Sequence, residues 1–505
     1  MRGRGLVLGW VLVACGCATV DPSGDYASLA TKVRERTGEE LRTPSGAGDA
    51  AETERQVAAR VRELLAEPLT ADRAVAVALI ASPRIQSMLE ELGIAEADLV
   101  ESGFIANPSL HAEVRFPARP QLPFEIDVAQ ELLSLLFRPM RVRVAEQALD
   151  AKQGELVQGV VASASAVERA FIEAQTAAQR ASLRRAIVES TAAAATAAGK
   201  LRVAGNVTDL EVASEEALHE EARIALAETE GESRAKREAV NRSLGLWGPD
   251  VGWSLEPRLP DPPADDGPGG SLEAFAIENR TDLAALRHWI ESRAQSAELA
   301  RYMGWLEGLS VLGHYEHEPE PVGTVGPSLE LVLPIFLQGQ PEIARSDARL
   351  RQSLDEFAAL AVEIRSTVRA ARDRLEVARA RAEHLRTAVI PLRQRMLEQT
   401  LRESYAMQAS VFRLLEAKRA EIEAGEAYVQ ALSDYWLARV DLQEALGGRF
   451  PSDAEQAAAN DVGPGRGEVR PLSTALSLTG DDSASPHPGP TETAPASATE
   501  MRGDP

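Results

Sequence analysis

Between Met140 and Gly248 the chain carries no proline, and the stretch is filled with Ala, Glu, Arg, Leu and Gln, the residues with the highest helix propensity. So long an uninterrupted run restricts the chain to very long helices. The one place built for a reversal is Ala204-Gly205-Asn206, where Gly and Asn tolerate the positive φ that a helix end requires. Two arms of roughly 60 and 40 residues result, about 90 and 60 Å long at 1.5 Å per residue. Rods of this kind bury only narrow apolar stripes, so they must pack against neighbours along their length.

The plan around this run is used twice. From 70 to 102 apolar residues recur at helical spacing, with a break at Ala81-Ser82-Pro83 that predicts two helices. The period then changes to two. Leu110, Ala112, Val114 and Phe116 alternate with His111, Glu113 and Arg115, and beyond a Pro-rich turn Phe124, Ile126 and Val128 alternate with Glu125, Asp127 and Ala129. That pattern is an amphipathic hairpin. After the Pro- and Gly-rich break at 257–270 the order recurs: the segment from Ala276 to Leu283 lines up with that from Ala78 to Ile85 at an offset of 198 residues. Alternation follows at Leu309, Val311 and Tyr315, an acidic Pro/Gly loop at 316–327, and alternation again at Leu329, Leu331 and Leu333. A second helical stretch, 342–446, is interrupted by Pro391. The chain therefore reads as strand, strand, long helix pair, repeated.

Composition narrows the function. A formal net charge of -23 opposes nucleic-acid binding, which needs clustered Lys and Arg. The two cysteines, Cys15 and Cys17, lie next to the N-terminus, which leaves no disulfide framework or zinc-type spacing in the body. Met1-Arg2-Gly3-Arg4 followed by the apolar run 6–14 is an export signal, too short to span the ~30 Å hydrocarbon core. Leu12-Val13-Ala14-Cys15 resembles the lipobox of exported lipoproteins, with Cys17 the alternative acylation site; neither Gly16 nor Ala18 is the Asp that retains lipoproteins in the inner membrane. Sorting to the outer membrane is expected. The predicted organisation is a signal peptide (1–14), an N-terminal linker with a short amphipathic helix near 52–65 (15–68), a first repeat (69–256), a linker (257–270), a second repeat (271–448) and a disordered, Pro/Gly/Ser-rich tail (449–505).

Strands of about 7 to 9 residues approach the ~9 to 11 that a tilted membrane strand needs. Four are too few to close a barrel, and lipid tolerates no open edge. If the strands enter a membrane, copies of the chain must assemble.

At this point the residues resemble the TolC-like outer-membrane efflux proteins over about 69–448. The resemblance is carried by FIANPSL (104–110), AGNVTDLEV (204–212), AIENRTDLAALR (276–287), GPSLELVLPIFLQGQPEIARSDARL (326–350), YAMQASVFRLLEAKR (405–419) and AYVQALSDYWLARVDLQEALGG (427–448). It implies a homotrimer with a twelve-stranded β-barrel, four strands per subunit, continued by a twelve-helix α-barrel tunnel. It further implies a periplasmic adaptor protein and an inner-membrane pump of RND or ABC type as partners, in tripartite efflux or type I secretion. By position, Gly205, Asn206, Val207 and Thr208 and Gln408, Ala409, Ser410 and Val411 correspond to the hairpin tips that meet the adaptor. Glu211, Arg413 and Glu416 correspond to the tunnel entrance, where the family carries acids. Arg413 departs from that pattern, and a solvated helix face is the alternative for all three.

Other features point to no chemistry. His314 and His317 with Glu316 and Glu318 have metal-like spacing, but the reading favoured is a polar loop between strands, with no metal site. Gly463 to Gly467 lacks the strand and helix that a phosphate loop needs. Trp289, Trp305 and Tyr302 fit a bilayer interface, with Trp289 equally suited to a core. No nucleophile, base or paired-carboxylate set falls on one rigid element, so no catalytic residue and no cofactor are expected. The competing readings are a lipid-anchored periplasmic adaptor, which would show a single hairpin, and a coiled-coil envelope scaffold, which would lack period-two strands.

Overall fold

The computed structural model describes residues 20–44, 50–114, 124–263, 271–304, 309–317, 324–330, 332–333 and 335–451. Cys15, Cys17, Trp305, Glu318 and the expected tail beyond 451 lie outside them. The first repeat begins with α1 (Ser23–Thr37), α2 (Ala50–Leu65), α3 (Ala71–Ala81) and α4 (Pro83–Gly103). Strands β1 (Ser109–Val114) and β2 (Phe124–Glu131) follow, then the short α5 (Leu133–Leu136) and the long pair α6 (Arg138–Val203) and α7 (Asp209–Leu244). The second repeat comprises α8 (Leu272–Asn279), α9 (Thr281–Met303), β3 (Ser310–His317), β4 (Thr324–Glu330), α10 (Gln340–His384), α11 (Ile390–Tyr405) and α12 (Val411–Ala445).

The duplication is visible at single residues. One extended residue separates α3 from α4 and α8 from α9: Ser82 (φ -67°, ψ 117°) and Arg280 (φ -70°, ψ 123°). Each donates its N–H to the carbonyl four residues back, Ala78 and Ala276, and the next turn drives Ile85 and Leu283 fully into the core. Segment 340–405 has the length of α6. Leu244 and Leu446, each directly before a glycine, are both completely buried.

Two apolar cores hold the repeats. In the first, Leu29 and Val33 of α1 meet Leu79 of α3, Ile85 and Leu89 of α4, Val157 and Val160 of α6 and Leu244 of α7. In the second, Leu283 of α9 packs with Ile364 and Val368 of α10 and with Tyr435 and Leu442 of α12. Burying each such Leu or Ile contributes about 1.5–3 kcal/mol. Along α6 the buried positions include Ala164, Ala174, Ala177, Ala181, Ala194 and Ala198. These short side chains let neighbouring helices approach closely while leaving the net apolar area modest. Ion pairs tie α6 to α12: Arg169 lies 3.0 Å from Asp441 and 2.7 Å from Glu444, and Arg184 lies 2.7 Å from the nearly buried Glu426.

The structure corrects three expectations. The N-terminal segment is more than a linker with one helix, because α1 inserts Tyr26, Leu29 and Val33 into the first core. Strand β4 starts at Thr324, inside the expected loop, and ends at Glu330, so Leu333 lies beyond it. Pro391 does not interrupt the helix. The π-helical turn Leu385–Val389 precedes it, closed by the Ile390 N–H on the Leu385 carbonyl, and the wider turn relieves the clash between a proline ring and the carbonyl four residues earlier. The actual break falls at 406–410, where Met407 takes φ 58°.

Candidate functional site

The four strands form one antiparallel sheet in the order β1-β2-β3-β4. Its register aligns Asp127 with both His111 and His314, and Glu125 with both Glu113 and Glu316. Because strand side chains alternate between faces, these residues share one face. Leu110, Ala112, Val114, Ile126, Val128, Val311, Tyr315, Val325 and Leu329 occupy the other. Leu110, Val325 and Leu329 there are 71%, 78% and 65% exposed. An exposed apolar face of this extent, backed by an ionisable one, needs a covering medium. Among the described residues β1 and β4 each have a single neighbour, so both edges are open.

Residues 104–107 join α4 to this sheet. Arg141 donates to the carbonyls of Phe104 (3.2 Å) and Ser134 (2.8 Å), and Gln130 donates to that of Ala106 (2.8 Å). On the exit side of β4, Gly339 (φ 78°) sits against Gly304, where an added Cβ would lie 2.7 Å from the Gly304 Cα. The sheet and the long helices are thus locked together at both crossings.

At the far end of α6 the chain turns at Gly205 (φ 74°), as expected for a left-handed helix end. Thr208 caps α7. Its hydroxyl accepts from the Glu211 N–H at 3.2 Å, and its own N–H donates to the Glu211 carboxylate at 2.7 Å. The Thr208 N–H, and then its hydroxyl, which donates to the same carboxylate at 2.9 Å, hold the Glu211 carboxyl below its ordinary value, and they make it a structural capping residue. In the second hairpin Ser410 caps α12, accepting from the Arg413 N–H at 3.3 Å. Arg413 lies 3.8 Å from Glu403, so the base at this position has an acidic neighbour across the turn. Ser410, Arg413 and Glu416 line one groove with Ser190, Thr191 and Glu215 of the first hairpin. The structure therefore brings the two hairpin ends side by side, about 100 Å of helix from the sheet at 1.5 Å per residue.

The histidine cluster is rearranged relative to the sequence reading. His314, Glu316 and His317 belong to β3, not to a loop, and His317 is on the face opposite His314, beside the Phe124 ring (centroids 5.2 Å apart). The neighbours of His314 come from β2: its Nδ1 lies 2.6 Å from Asp127 Oδ1 and 3.4 Å from Glu125 Oε1. Local spacing conceals such partners because they lie across a strand pair. Trp289 donates to Glu155 of α6 at 2.7 Å, which ties α9 to the first hairpin.

A four-stranded, two-faced sheet continued by paired long helices is a fold this chain shares with solved outer-membrane channels. No family model matches it. It is similar to the cobalt-zinc-cadmium resistance protein CzcC of Cupriavidus metallidurans, at 22% identity over 397 residues, covering 76% of this chain and 91% of the relative. Among solved structures it resembles a membrane protein from Pseudomonas aeruginosa (TM-score 0.64, 19% identity, 75% of this chain and 92% of the other). The channel protein CusC (0.63, 14%, 75% and 92%) and the open MtrE outer-membrane channel of Neisseria gonorrhoeae (0.61, 15%, 77% and 89%) share the fold as well. No helix among the described residues is long and apolar enough to cross a membrane.

Proposed function

We propose that this chain is the outer-membrane channel of a tripartite efflux system, a passive duct that carries cargo from a periplasmic adaptor and an inner-membrane pump to the outside. The observation that carries this reading is the sheet. One face is apolar and exposed, the other ionisable, both edges are open among the described residues, and two helical hairpins of matched length lead away from it. Three copies joined edge to edge give a twelve-stranded barrel with the ionisable face lining the lumen, and six hairpins give a twelve-helix tunnel. Acylation at Cys15, with Cys17 the alternative, adds a lipid anchor. The name of CzcC supports cobalt, zinc and cadmium ions as the cargo to try first. A single-hairpin adaptor does not account for two hairpins and a four-stranded sheet.

The tips supply the test. Cysteines at Thr208 and Ala409 should crosslink to the adaptor in intact cells. Gly205→Trp or Ser410→Trp should abolish export and leave the trimer assembled. Labelling of those cysteines by an impermeant reagent added outside the cell would reverse the topology and remove the reading.

A further inference from the structure

We propose that Glu125, Asp127 and His314 form a binding site for a divalent transition-metal ion on the ionisable face of the sheet. One ligand atom from each of the three lies within 4.8 Å of the other two. All three are partly buried, with side chains 19%, 17% and 30% exposed, on strands paired in register. A zinc-type ion sits about 2.0–2.2 Å from imidazole nitrogen and carboxylate oxygen, so its ligand atoms lie about 3–4 Å apart. The contacts of His314 Nδ1 to Asp127 Oδ1 (2.6 Å) and Glu125 Oε1 (3.4 Å) need only small rotamer shifts to meet that spacing.

The ion replaces the proton that His314 Nδ1 shares with Asp127, and the proton leaves to solvent. Glu316 Oε2 lies 3.8 Å from His314 Nε2 and His111 stands opposite Asp127 on β1, so further donors border the site on the same face. One imidazole with two carboxylates suits zinc, cobalt, nickel or copper, whereas magnesium and calcium take six or more oxygens. Three protein ligands leave a position for water or a passing ligand, which favours exchange over permanent retention. That the bound ion faces a duct rests on the channel reading; the binding itself does not.

The full-length protein, purified in detergent and stripped with chelator, is titrated with Co2+ as a spectroscopic probe and then challenged with Zn2+. One Co2+ per chain is expected, with visible d–d bands that Zn2+ abolishes. Affinity should fall by more than about tenfold, the low end of what losing even a supporting partner costs, in both His314→Ala and the near-isosteric Asp127→Asn. His317→Ala, on the opposite face, should bind as the parent does. The site is refuted if the parent binds neither ion, if both ligand variants bind unchanged, or if His317→Ala loses as much affinity as His314→Ala. Absence of binding leaves the export reading standing, whereas a chain that binds Co2+ yet never crosslinks to an adaptor at its tips loses that reading and keeps the site.

Discussion

At the residue scale the most informative buried charges are those the helices had to accommodate. Glu168 on α6 is largely withdrawn from solvent with Asp72 nearby, and burial first, then that like charge, push its carboxyl up from 4.5 to about 7 against the pull of Arg439 and Arg169. A carboxyl with a raised folded-state pKa binds its proton more tightly when folded. Its contribution to stability is therefore complete below pH 4.5 and is lost as the pH climbs through 7. Thermal unfolding should show Glu168→Gln matching the parent near pH 4.5 and melting higher at pH 8; equal melting at both would mean that folding does not raise the Glu168 pKa. Beyond the end of α7, Trp253 donates to Asn241 at 2.8 Å beneath the Arg237 guanidinium, 3.9 Å above the ring. None of these pairings was legible in the sequence, since each joins positions whose closeness follows only from packing.

Among the elements, helices and strands were readable because their periods are local. The α3–α4 and α8–α9 breaks, the alternation in β1 to β3 and the turn at Gly205 all follow from residues within a few positions of one another. The misreadings have equally physical causes. Pro391 is tolerated by a π turn, and α1 lies in a polar N-terminal stretch whose Leu29 and Val33 are drawn into the first core only in the folded chain. The sheet-to-helix crossing yields a prediction at this scale. Gly339→Ala must both hold φ 78° and displace the Gly304 backbone, a strain of about 1–3 kcal/mol, so its melting temperature should fall. Gly231→Ala, in open space inside α7, should instead stabilise by about 0.5–1 kcal/mol. A Gly339→Ala protein that melts with the parent would show that this crossing is loose.

For the whole molecule the decisive quantity is what the described residues do not give the sheet, a partner at each edge and a cover for its apolar face. Native mass spectrometry of protein extracted from outer membranes should return three copies, each carrying acyl mass on Cys15. Val128→Arg puts a charge on the apolar face at a cost of about 2–4 kcal/mol at mid-bilayer depth, and the trimer should be depleted. Acyl mass on Cys17 would move the anchor, and a monomer in the parent would remove the barrel.

The sequence alone determined the order of elements, their duplication, the long helices and the two-faced strands, because helix propensity, period-two alternation and helix-ending glycine act over a few neighbouring residues. Only the tertiary structure decided which strands pair and which carboxylates stand beside His314. Asp127 and His314 are 187 positions apart, and no local period encodes a register set by two hairpins closing on each other.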